Sequence, residues 1–159
     1  MTIFVLDADG LIKLTKSGIM EELAKHRKCV ITREVFDEAV RKGKERFYED
    51  AYAIEDMVNR KLLSVEKIQF EEIDNLGKGE ASSLELYKKK KCSAIITDDR
   101  KFLSVLEEQG IPFIMPADVI ISLLNRRKIA RKAALEALEK IKPLVREEVY
   151  AKAKGEMGD

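Results

Sequence analysis

The chain has 159 residues, enough for one domain with a sizeable core. Its 30 basic and 29 acidic residues leave a net charge of +1, although 37% of the chain is charged. That balance excludes attachment to nucleic acid by bulk charge and leaves only local basic patches for such contacts.

In chain order, Ile3-Phe4-Val5-Leu6 is a continuous apolar run that ends at Asp7, the pattern of a parallel strand buried on both faces. Leu11 to Lys25 reads as a helix with Leu11, Leu14, Ile19 and Leu23 on its apolar side. Cys29-Val30-Ile31 is a second strand. Thr32 then suits the cap of a helix with Val35, Ala39 and Val40 inward. Phe47, Ala51, Ile54 and Val58 space like a further helix, and Leu62-Leu63-Ser64-Val65 is a weaker strand. Gly77-Lys78-Gly79 opens a helix through Ala81, Leu84 and Tyr87. Ala94-Ile95-Ile96 is a strand ending at Thr97-Asp98-Asp99, and Phe102, Leu103 and Leu106 continue as helix. Pro112 to Met115 is the last strand. Beyond Pro116 only helix is expected: Val119 to Leu124, then Ile129 to Ile141, with Pro143 as a break and residues 154–159 frayed. Alternating strands and helices predict an α/β fold of three layers, α/β/α, around a central parallel sheet of four or five strands, followed by a C-terminal helical extension.

Ligands of open parallel sheets bind outside the carboxyl ends of the strands. Two of the clearest strands end there in acid, one in Asp7 with Asp9 behind it, the other in Asp98 and Asp99. Side by side, those carboxylates would repel one another and require a cation. Oxygen donors suit Mg²⁺ or Mn²⁺, as one ion or two. The single histidine, His26, argues against zinc. Any one of these acids could be a helix cap, but capping at both strand ends is not the expected explanation of two acid pairs.

These residues resemble the PIN-domain nucleases. Val5 to Ile12 looks like the family's opening strand with its acid, and Thr32 to Glu38 like its second block, with Glu38 at the acidic position. Gly77-Lys78-Gly79-Glu80-Ala81 is similar to the Gly-Glu-Ala block of the toxin-like ribonuclease branch. Thr97-Asp98-Asp99-Arg100-Lys101-Phe102 is similar to its closing block, with Asp99 as the acid. Asp9 stands where the family has Asn or Ser. The resemblance implies a PIN-like nuclease domain over residues 1–125 and a helical extension over 126–159.

It further implies a Mg²⁺- or Mn²⁺-dependent endoribonuclease cutting single-stranded RNA. Asp7, Glu38, Glu80 and Asp99 would be catalytic. Asp7, Asp99, Asp98, Glu80 and Asp9 would hold metal, Thr97 would orient a carboxylate, and Arg100 and Lys101 would contact substrate. The same branch implies a possible antitoxin partner and a homodimer. Neighbouring acids Glu34, Asp37 and Asp74 are read as solvated. Lys88 to Lys91 suit a helix C-terminus whatever the substrate. Arg126-Arg127-Lys128 and Arg131-Lys132 form a basic stripe that could hold a nucleic-acid backbone.

Two rival readings remain. Leu6-Asp7-Ala8-Asp9-Gly10 also looks like the start of haloacid-dehalogenase-type phosphatases, with Asp7 as nucleophile and Asp9 as acid/base. Alternatively, the domain is a non-catalytic binding module. No apolar run approaches the roughly 20 residues of a membrane span. The N-terminus lacks a signal peptide's basic region, and Cys29 and Cys92 form no disulfide pattern. We expect a cytoplasmic protein with no membrane contact.

Overall fold

A computed structural model describes residues 2–158. Five strands, β1 (Ile3–Leu6), β2 (Lys28–Thr32), β3 (Leu63–Glu66), β4 (Ala94–Ile96) and β5 (Phe113–Ile114), form one parallel sheet in the order β3-β2-β1-β4-β5. β1 lies at the centre, and the sequence order reverses between β1 and β4. That reversal opens a crevice at the carboxyl ends of those two strands.

Residues of one strand alternate between two cores, which is why these runs are apolar throughout. Val5, Val30 and Ile95 pack with α6 (Lys78–Lys90) and α7 (Arg100–Glu108), where Leu84, Leu86, Phe102 and Leu106 are buried. Leu6, Ile31 and Ile96 face the larger core on the other side. That core is filled by α1 (Ala8–Ser17), α2 (Met20–His26), α5 (Glu49–Asn59) and α8 (Pro116–Asn125). α9 (Arg131–Ile141) and α10 (Glu147–Met157) complete it through Ala134, Leu138, Ile141 and Ala153. The molecule is a three-layer α/β/α sandwich.

The structure corrects several local expectations. The helix predicted over Leu11 to Lys25 is two helices, because Gly18 takes a left-handed φ of 82° that ends α1. Residues 154–157 are not frayed: α10 continues to Met157, and Ala153 is buried. The helix capped by Thr32 is a longer rod of α3 (Arg33–Phe36), a π turn (Asp37–Arg41) and α4 (Lys42–Glu45). Phe47 does not share the face of Ala51 and Ile54. It precedes α5 and is 87% exposed.

Gly10 shows how tightly α1 sits on the sheet. A Cβ there would lie 2.3 Å from the carbonyl oxygen of Ile96, a backbone atom of β4 that cannot rotate away. Gly10→Ala should therefore cost about 3 kcal/mol, the upper end of overpacking, in a urea titration. Gly155→Ala, whose Cβ would meet nothing within 4 Å, should be neutral or slightly stabilising. Equal stability of the Gly10 variant and the parent would contradict this packing.

Candidate active site

Each strand of the β1–β4 pair delivers a carboxylate that also starts the next helix. Asp7 is the N-cap of α1, and its Oδ1 accepts from the Gly10 amide at 2.7 Å. Asp99 is the N-cap of α7, and its Oδ1 accepts from the Phe102 amide at 3.0 Å. The expectation that capping would not account for both strand ends is thus overturned. Capping and metal binding are compatible, because a carboxylate offers about four lone-pair sites and each cap uses one.

Thr97 joins the two acids. Its hydroxyl donates to Asp7 Oδ2 and accepts from the Asp99 amide at 3.1 Å. Asp7 is 1% exposed. Burial pushes its pKa well above the usual carboxylate range, and the charges of Asp9 and Glu80 add to the rise. The bonds from Thr97 and Gly10 act in the opposite direction.

Asp7 and Asp99 open onto a cleft of about 450 Å³ that also reaches Glu38, Glu80, Glu34 and Asp37. Glu80 lies in the first turn of α6, where its Oε1 accepts from the Gly77 amide at 2.9 Å. Burial, then the negative charge of Asp99 within hydrogen-bonding reach and that of Glu38, raise its pKa to about 7. Glu38 approaches from the π turn. A Cβ on Gly79 would stand 3.0 Å from its Oε2, so the helix start at Gly79 lets the two segments meet closely.

The four acids that family resemblance made catalytic therefore share one cleft. Arg100 and Lys101 do not line it; they are exposed on the first turn of α7. Asp98 and Asp9 have other work. Asp98 is buried, and its carboxylate meets Lys13 Nζ at 3.1 Å and Arg146 Nη2 at 3.4 Å. Asp9 pairs with the same lysine at 3.1 Å and accepts from the Asp98 amide at 3.0 Å. Asp9 still borders the cleft, whereas Asp98 does not.

Sequence reasoning missed other residues. Glu34 and Asp37, read there as solvated, line the cleft, and Glu34 Oε1 is buried without a hydrogen-bond partner. Asp37 stands 3.5 Å from Arg33 Nε. Lys42 and Lys78 bring cations to the rim. Glu34, Glu38 and Lys42 recur at four-residue steps, the signal that could have placed them on one helix face. Asp74 is exposed, as read.

Among the described residues, no three acidic, histidine or cysteine side chains stand close enough to form a ready-made metal cage. The acids ring the cleft instead of converging on a point. The donor set nevertheless fits a hard divalent cation. It is all oxygen, its charges are mutually unfavourable, and beside it Glu34 Oε1 and Asp37 Oδ1 are buried without a hydrogen-bond partner.

Comparison with known proteins decides the family. A family model described as a PIN domain matches residues 3–159. The chain belongs to the PIN-domain family. Among solved structures, this PIN domain is similar to a PilT N-terminus domain protein from the hyperthermophilic archaeon Sulfolobus solfataricus P2. The TM-score is 0.57 and the identity 19%, over 77% of this chain and 94% of that one, a likeness of fold. None of the curated proteins matches. PIN domains are generally nucleases that use divalent metals. Among the described residues of this one, no helix is long and apolar enough to cross a membrane.

The raised pKa of Glu80 has a measurable consequence. Between about pH 4.5 and about pH 7 the folded protein holds a proton that the unfolded chain has released. Stability in metal-free buffer should therefore fall as pH rises through that window. Glu80→Gln should show a shallower fall in urea midpoint across the same range. Identical slopes for parent and variant would contradict the assignment.

Proposed function

We propose that this PIN domain is a metal-dependent endoribonuclease acting on single-stranded RNA at the cleft between the ends of β1 and β4. The observation that supports this most directly is the gathering of Asp7, Glu38, Glu80 and Asp99 around one cleft while cations hold Asp98 outside it and Asp9 at its edge.

In this reading Asp7, Asp99 and Glu80 hold Mg²⁺ or Mn²⁺, with Glu38 completing the set. The bound metal would neutralise the phosphate and supply a hydroxide-like water near neutral pH. The chain's own groups do the rest. Thr97 fixes the rotamer of Asp7 and, through the Asp99 amide, the start of the neighbouring cap. Glu80, held by the Gly77 amide and within reach of Asp99, is placed to orient the attacking water. Lys42 and Lys78 on the rim are placed to meet phosphate oxygens. Arg100 and Lys101, outside the cleft, would contact the strand farther along.

The phosphatase reading needs Asp9 as a mobile acid/base. Asp9 is instead paired with Lys13 and bonded to the Asp98 amide, and the matched family is a different one.

Because Asp7 is a buried cap, alanine would disturb the start of α1 as well as the site. Asn is the cleaner replacement, since its Oδ1 can still accept from Gly10. Asp7→Asn should keep the fold and reduce Mn²⁺-dependent cleavage of an unstructured RNA about a hundredfold or more. That loss corresponds to several kcal/mol of charge stabilisation. Undiminished cleavage by a folded Asp7→Asn protein would overturn the reading.

A further inference from the structure

The turn between α4 and α5 carries an aromatic surface that the fold does not need. Phe47 is 87%, Tyr48 52% and Tyr52 56% exposed. Phe47 also has a left-handed φ of 61°, a conformation rare for a bulky side chain. The position ends α4: the Phe47 amide donates to Lys44 O at 3.0 Å and the Tyr48 amide to Gly43 O at 2.9 Å. Glycine or asparagine normally fills such a position. A phenylalanine there gains neither burial nor backbone ease, so its ring faces water for a reason outside folding.

The surrounding structure holds this surface firmly. Gly43 packs so close to Ala51 that a Cβ on it would lie 2.9 Å from the alanine methyl, which locks α4 against α5. Lys44 Nζ sits 5.2 Å from the centre of the Tyr52 ring while gripping Glu55 at 2.7 Å. Lys16 Nζ sits 5.9 Å from the Tyr48 ring and 2.6 Å from Asp50. Both tyrosines are thus steadied by a cation that an acid already neutralises.

The surface is also continuous with the cleft. The rod that carries Glu38 runs on through Lys42, which lines the cleft, to Phe47. Nine residues of helix span about 14 Å. Lys42 and Arg46 lie four residues apart along it, and among the described residues neither has an acidic partner within 4 Å. Two cations free to meet phosphates, followed by solvent-facing rings, form the combination that binds unpaired strands: charge follows the backbone and rings stack on bases.

We infer that Lys42, Arg46, Phe47 and Tyr52 form a platform for the single-stranded RNA leaving the cleft. It grips two phosphates and stacks unpaired bases on the exposed rings. A duplex, whose bases already stack on one another, gains nothing from those rings. The inference rests on the nuclease reading for its choice of occupant.

Binding of a fluorescein-labelled unstructured RNA, measured by anisotropy in EDTA, separates the platform from cleavage. Phe47→Gly suits the left-handed backbone and should leave the fold intact. It should weaken binding about tenfold, as should Tyr52→Ala, with little change for the matching duplex. Unchanged affinity in both variants, or equal losses for strand and duplex, would overturn the platform. So would an unaltered affinity accompanied by a change from dimer to monomer on sedimentation, which would make this face a contact between copies. A parent that binds no RNA overturns it too. If the parent fails to cleave while the variants lose strand binding, the platform stands and the catalytic reading fails. If all three proteins cleave with the same KM, the platform fails and the catalytic reading stands.

Discussion

The buried carboxylate of Asp7 constrains everything around it. A charge at the centre of the sheet's carboxyl edge is costly unless hydrogen bonds or a cation meet it. The Gly10 amide and the Thr97 hydroxyl supply the bonds, one from the helix that Asp7 caps and one from the neighbouring strand. Gly10 must be glycine because the same helix start presses on Ile96. Thr97 must be fixed because it also receives the Asp99 amide. The junction between β1 and β4 is therefore one unit, and the acids of the cleft are arranged by it.

The adjacent acids Asp98 and Asp99 show how the fold sorts charge. Backbone direction alone sends their side chains to opposite sides of the chain. Asp98 falls between Lys13 and Arg146, which neutralise it at the inner edge. Asp99 turns toward the cleft, where it meets Glu80 and lifts its pKa. Arg146 precedes α10, so the C-terminal helices fill the larger core and also help keep Asp98 out of the cleft. The cleft is left with a surplus of acid, which a divalent cation would relieve.

Much of this was legible in the sequence, for a physical reason. Strands buried on both faces are unbroken apolar runs, and an acid directly after one is conspicuous. That is how Asp7, Asp98 and Asp99 stood out, and why the sheet and its helical layers could be drawn. Glu38 and Glu80 carry no such mark, because acids are ordinary in helices; only the resemblance to a family singled them out. The separation of Asp98 from Asp99 could not be read, since it depends on Arg146, 48 residues away. Glu34 reads as solvated in the sequence, yet it lies one helical turn before Glu38, on the cleft side. Phe47 misled in the other direction. Its spacing to Ala51 and Ile54 fits an apolar helix face, but a left-handed turn places it before the helix begins.

The chemistry of the cleft depends on whether its ring of acids takes up a divalent cation. Titration calorimetry of Mn²⁺ into the metal-free protein, at neutral pH, tests this without reference to any substrate. The parent should show saturable uptake, and Asp99→Asn, in which the charge is lost and the cap oxygen kept, should bind at least about tenfold more weakly. A folded parent that takes up no Mn²⁺ at millimolar concentration would contradict it.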